Sequence, residues 1–221
     1  MINFHPDIQQ ITDFAGGNCS ANVALIISAH IDMCPLCQRL CMQAEEELAA
    51  EALLQPLAMA ENLSNMMLHI TQSPLAEPSP AKSPSGFLEL EGRYFQLPRA
   101  LHRCSEKTGN WSRLVGKLWQ APVDIGGVGQ ATFIYMEKGG RVPEHTHRGI
   151  ESTLVIDGQF SDGLADYGVG DFTRMDSHNK HVPYSGADDG CLVFTILDKP
   201  LQFTSGIARL LNPFSHLFFK S

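Results

Sequence analysis

The sequence predicts an α+β chain in two parts: a small N-terminal helical bundle, then an all-β barrel or sandwich. Three observations carry this prediction. Through residues 3–71, apolar residues recur at helical spacing. Residues 72–86, QSPLAEPSPAKSPSG, hold four prolines and four serines, a composition that cannot bury a core and reads as an extended linker. From Phe87 onward, short apolar or alternating runs are divided by Gly, Asp and Pro, the pattern of many short strands.

Taken in order, Ile8, Ile11 and Phe14 lie at helical spacing and Gly16-Gly17 ends that segment. Ser20 or Asn22 can cap a second helix carrying Val23, Ile26, Ile27 and His30 on one side. Pro35 suits the first turn of a third helix reaching about Ala52, because its missing N–H would be unpaired there anyway. A fourth runs from about Leu57 to Ile70, with Leu57, Met59, Ala60, Leu63, Met66, Met67 and Ile70 forming an apolar stripe. Strands are expected in residues 111–119, 131–136, 152–156, 171–175 and 191–197. Turns are expected at Gly139-Gly140, Asp157-Gly158, Asp162-Gly163 and Asp189-Gly190. The domains fall at 1–71, 87–206 and a C-terminal tail, 207–221, with the linker at 72–86.

The chain has 221 residues, a formal charge of −8 and 43% hydrophobic residues, ordinary for globular proteins. The acidic balance counts against direct DNA binding, which needs basic patches, and suits covering a basic partner. The longest apolar run, residues 23–27, is far short of a membrane span. The start, MINFHPD, has neither a basic nor an apolar leader region, so a cytoplasmic location is expected.

Three of the six cysteines, Cys34, Cys37 and Cys41, crowd beside His30. In a chain without a leader this reads as metal binding before disulfide bonding. HIDMCPLC brings His30, Cys34 and Cys37 to one helix end, and tetrahedral zinc needs a fourth ligand. His5 is the preferred fourth, since it precedes a helix that must pack on the second; His69 and Cys41 compete. Cys41 otherwise reads as a small buried residue. An early His followed by HxxxCxxC resembles the zinc-binding anti-sigma domain, over about residues 1–71. That resemblance implies zinc held by His5, His30, Cys34 and Cys37, with the fourth helix as the arm that grips an extracytoplasmic-function sigma factor. The acidic run Glu45, Glu46, Glu47 and Glu51 then reads as a solvated face, or as contact with a basic sigma surface.

In GGRVPEHTHRGIESTLVIDG, His145 and His147 are two apart and leave one face of a strand, with Glu151 at the same parity and Gly149 keeping that face open. Mixed nitrogen and carboxylate donors suit a divalent metal, and spacing alone does not choose among Zn, Fe, Mn and Ni. Gly139, His145, His147, Glu151 and Gly158 fill every position of the first cupin motif, G-x5-H-x-H-x3-E-x6-G. The second motif is degraded. Gly170 and His181 fit it, while Asp176, His178 and Ser185 replace its proline, glycine and asparagine. His181, rather than His178, is the expected fourth ligand. The resemblance implies that the β part is a cupin, a double-stranded β-helix barrel.

A helical zinc domain, a linker and a cupin together resemble the ChrR-like anti-sigma factor family. That family resemblance implies zinc in both domains and a non-enzymatic regulator that releases its sigma factor on singlet oxygen or organic peroxide, through the cupin. The alternative is a metal-dependent cupin dioxygenase acting on a small molecule; a DNA-binding regulator ranks third. Cys191, in the last strong strand, reads as inert packing; Cys104, near Arg103 and Lys107, stays open as a thiol sensor.

Overall fold

A computed structural model describes residues 1–54, 63–74, 86–114, 117–126 and 129–204. Among these, helices come first and strands follow, as expected of the α+β order. Helix α1 (Ile8–Ala15) starts at a capping box: Asp7 Oδ1 accepts from Gln10 N at 2.8 Å, and Gln10 Oε1 accepts from Asp7 N at 2.9 Å. It ends at Gly16, and Gly17 turns the chain at φ +71°. Ser20, not Asn22, caps α2 (Ala21–Met33). Cys34 is extended, as a residue before proline prefers, and α3 (Pro35–Leu54) leaves at 120° to α2. Helix α4 (Leu63–Gln72) is the described part of the expected arm; its first half, most of the linker and the tail lie outside the described residues. No single described helix is long and apolar enough to cross a membrane.

Strands β1 (Phe87–Leu90) and β2 (Arg93–Gln96) form a hairpin around Glu91-Gly92, both at positive φ, the two-residue turn that matches strand twist. A 3-10 turn (Arg99–Leu101) and α5 (His102–Glu106) lead to the barrel. Its strands are β3 (Ser112–Leu114), β4 (Leu118–Val123), β5 (Gln130–Met136), β6 (His145–His147), β7 (Glu151–Ser161), β8 (Asp166–Gly168), β9 (Phe172–Met175), β10 (Lys180–His181), β11 (Cys191–Leu197) and β12 (Leu201–Phe203). One sheet runs β3-β4-β5-β11-β7-β8, with β9 also on β7; the other runs β10-β6-β12, all pairs antiparallel.

Two local expectations need correction. Residues 111–119 are not one strand: Lys117, at φ +63°, turns the chain between β3 and β4. Asp157-Gly158 is not a hairpin turn either. It lies within β7, where the register against β11 slips by one residue, a bulge that bends a long strand. Gly158 sits at φ +72°, and a Cβ there would come within 2.0 Å of the Gly190 carbonyl oxygen.

The core explains how the helices sit. Phe133 and Phe194, both fully buried with ring centroids 5.0 Å apart, centre a cluster with Leu154, Leu192 and Phe172. Ile26 and Ala29 of α2 belong to that same cluster, as do Leu88, Leu90 and Phe95 of the β1–β2 hairpin. Helix α2 is apolar on more than one face because it meets the other helices on one side and the barrel on another. Asp32, near its end, accepts from the Ala100 backbone N–H at 2.7 Å.

Candidate metal centres

The first cluster is assembled at the bend between α2 and α3. His30 lies in the last turn of α2, Cys34 at the junction and Cys37 in the first turn of α3. His5 comes from the extended segment ahead of α1. One ligand atom from each of these four lies within 4.8 Å of all the others. His5 Nδ1 is 3.4 Å from the sulfurs of both Cys34 and Cys37, and His30 Nε2 is 3.3 Å from Cys37 Sγ. Tetrahedral zinc, with Zn–S about 2.3 Å and Zn–N about 2.0 Å, separates an N and an S ligand by about 3.5 Å. The donor set therefore fits such an ion. Burial pulls the His30 imidazole down to about 4, so it is neutral and can offer a lone pair. Burial, and next Cys34, push the Cys37 thiol up to about 12; a cation would reverse that penalty.

Neither competitor for the fourth place joins the group. Cys41 is buried against Ile11, and its thiol donates to Glu45 Oε1 at 3.6 Å. His69 is exposed on α4.

The second cluster lies inside the barrel. His145 and His147 project from β6, Glu151 opens β7 and His181 ends β10. His145, His147 and Glu151 converge, but not through one strand's parity: Arg148 to Ile150 break the strand, so Glu151 reaches the cluster from the neighbouring sheet. His181 Nε2 lies 2.9 Å from His145 Nε2 and 3.0 Å from His147 Nε2. Glu151 Oε2 is 3.5 Å from His147 Nε2 and 3.8 Å from His181 Nε2. Burial lowers His145 to about 3 and His147 to about 4, and lowers His181. Three neutral imidazoles thus aim their Nε2 atoms at one point, where a single shared proton cannot satisfy them all. Burial alone raises Glu151 to about 7. The donors fit a divalent cation of the zinc or iron type.

His178 is exposed and bonds to Asp176, so it takes no part. One neighbour escaped the sequence reading. Asp162 is buried, accepts from Tyr167 Oη–H at 3.0 Å and lies 3.9 Å from His181 Nδ1. In sequence it showed only as half of a turn dipeptide. The cluster opens onto a cavity walled mostly by apolar side chains, among them Met136, Val142, Phe160 and Met175. Cys104 and Cys191 are both buried in hydrophobic clusters, and burial raises both thiols.

Comparison with known proteins places these features. Residues 107–200 match the family described as the ChrR cupin-like domain. Anti-sigma-E factor ChrR of Cereibacter sphaeroides is 28% identical over 96% of this chain and 98% of its own length. The crystal structure of Rhodobacter sphaeroides SigE in complex with the anti-sigma ChrR superposes with a TM-score of 0.68 at 24% identity, covering 90% of this chain and 100% of that one, which shows a shared fold. The chain is therefore ChrR-like over nearly its whole length, helices and cupin barrel together.

Proposed function

We propose that this protein is an anti-sigma factor: its helical part binds and inhibits an extracytoplasmic-function sigma factor. The observation that carries the reading is the end-to-end likeness to ChrR, which includes the His/Cys helices as well as the barrel. A barrel enzyme would have no evident use for those helices. Helix α4 adds independent support. Leu63, Met66, Met67, Leu68 and Ile70 are all at least 40% exposed, an apolar surface that a chain in water leaves open for a partner. Methionine suits such adaptable contacts. The net charge of −8 fits a basic protein partner rather than DNA.

In this reading zinc is held by His5, His30, Cys34 and Cys37, and a divalent ion by His145, His147, Glu151 and His181. Bound zinc would supply folding energy to the small helical part. The chain's own residues then present α3 and α4 as the gripping surface. The barrel senses an oxidative signal, singlet oxygen or organic peroxide, and the sigma factor is released in the cytoplasm. Moving a complex from mostly bound to mostly free takes on the order of 3–5 kcal/mol of differential binding.

The test is inhibition of sigma-dependent transcription in vitro by the purified chain. Native protein should inhibit, and a Cys34→Ser, Cys37→Ser variant should not. Full inhibition by that variant would remove the zinc-ordered helices from the account. A His145→Ala, His147→Ala variant should keep inhibition yet lose its relief by oxidant.

A further inference from the structure

The His30 imidazole and the backbone leading into His5 are held in place by consecutive residues of the barrel. The fully buried His30 ring points Nδ1 at the Gly170 carbonyl oxygen, 2.8 Å away. That bond fixes the proton on Nδ1 and leaves the Nε2 lone pair facing the sulfurs. Gly170 lies in the turn between β8 and β9 at φ +88°, and a Cβ there would come within 2.4 Å of Ile2 Cδ1. The amino-terminal segment thus runs directly over this turn. Asp171, the next residue, is 1% exposed. Its Oδ1 accepts from the backbone N–H groups of Asn3 (2.6 Å) and Phe4 (3.0 Å), and its Oδ2 from that of Gly168 (2.8 Å). The Phe172 N–H completes the attachment by donating to the Phe4 carbonyl at 3.0 Å. These bonds place the backbone one residue before His5.

The amino-terminal part supplies the four donors, and the barrel holds the His30 ring and the backbone just ahead of His5. An outer partner bonded to the ring, as the Gly170 carbonyl is to His30, sets the tautomer and orientation of a metal-binding histidine and typically changes affinity by about 10–100-fold. The same turn also connects to the barrel's own cluster. The Phe4 ring lies 4.6 Å from that of Tyr167, whose hydroxyl donates to Asp162, the carboxylate beside His181. On the other side, β9 runs from Phe172 to pair Met175 with Glu151.

We propose that Gly170 and Asp171 are positioning residues for the amino-terminal His/Cys cluster, so that its hold on zinc depends on the docked barrel. The proposal rests on reading that cluster as a zinc site. It gives the two parts of the chain a physical means of communication: a shift of the β8–β9 turn moves His5 and His30 together, relative to the sulfurs.

The test uses the full chain loaded with Co2+. Thiolate ligands give cobalt a near-ultraviolet charge-transfer absorption that imidazole and carboxylate do not. The band therefore reports the His/Cys cluster and is silent about the barrel cluster, which has no sulfur. Asp171→Ala should weaken or shift the band and speed release to a chelator by about 10-fold, the low end for outer partners, because Asp171 acts on His5 through the backbone. Asp171→Asn keeps an acceptor for Asn3 and Phe4, and should restore most of the native behaviour. Phe4→Ala, a change at a half-buried position, serves as the second variant and should speed release in the same direction if Asp171→Ala does not fold. A native band and release rate that are indifferent to these changes in folded variants would sink the positioning role alone. No thiolate band in the native chain would sink the metal reading, and the positioning role with it.

Discussion

Helix α2 joins the helical part to the barrel through Ile26, which is fully buried in the cluster that also holds Leu88, Phe133 and Phe194. Ile26→Ala deletes three buried carbons. At about 0.8 kcal/mol each, the transfer loss is about 2.4 kcal/mol, and the residual cavity brings the expected cost to about 3–4 kcal/mol. The location of the loss matters more than its size. Both tryptophans, Trp111 and Trp119, belong to the barrel and pack against this cluster. Urea unfolding followed in parallel by tryptophan fluorescence and far-ultraviolet circular dichroism separates two outcomes. If the helices and barrel are packed as described, the fluorescence transition of the variant moves to lower urea by an amount corresponding to about 3–4 kcal/mol. An unchanged fluorescence transition, with only the dichroism displaced, would refute the shared core.

Further outcomes follow from the same geometry. His145→Ala with His147→Ala should abolish metal binding in the barrel while leaving one equivalent in the helical part, as read by elemental analysis. Gly158→Ala should destabilise by well over 1–2 kcal/mol, the usual cost of a left-handed non-glycine residue, because the added Cβ also meets the Gly190 carbonyl; thermal unfolding measures it. Cys104 and Cys191 should resist alkylation in the native chain and react once it is unfolded, since burial raises both thiols; rapid native labelling of Cys104 would reopen its role as a sensor.

Legibility in the sequence followed the range of the interaction. His30, Cys34 and Cys37 lie on one short helix–turn–helix, so their spacing alone placed them together. His145, His147 and Glu151 were legible in the same way, although the break at residues 148–150 was not. Local turn signals misled where the partner strand decides: Asp157-Gly158 has the composition of a hairpin turn, but β11 takes it into a bulge. Val23, Ile26, Ile27 and His30 marked one side of α2, yet nothing within the helix could say that Ile26 would join a cluster with Leu88 and Phe133. Asp162, Tyr167 and Asp171 carry no motif that announces them, and Gly170 fits a cupin motif position that says nothing of His30. The role of Asp171 exists only because the amino-terminal segment crosses the β8–β9 turn, a contact between residues 167–168 positions apart in the chain. The one hint was apolar Ile2 and Phe4 ahead of a capped helix.

Zinc-edge X-ray absorption on the His145→Ala, His147→Ala chain puts the central claim to its most direct test, because the His5, His30, Cys34 and Cys37 cluster is then the intact one of the two among the described residues. The account predicts two sulfur neighbours at about 2.3 Å and two nitrogen neighbours at about 2.0 Å. A shell of nitrogen and oxygen alone, or a chain that retains no zinc, would contradict it.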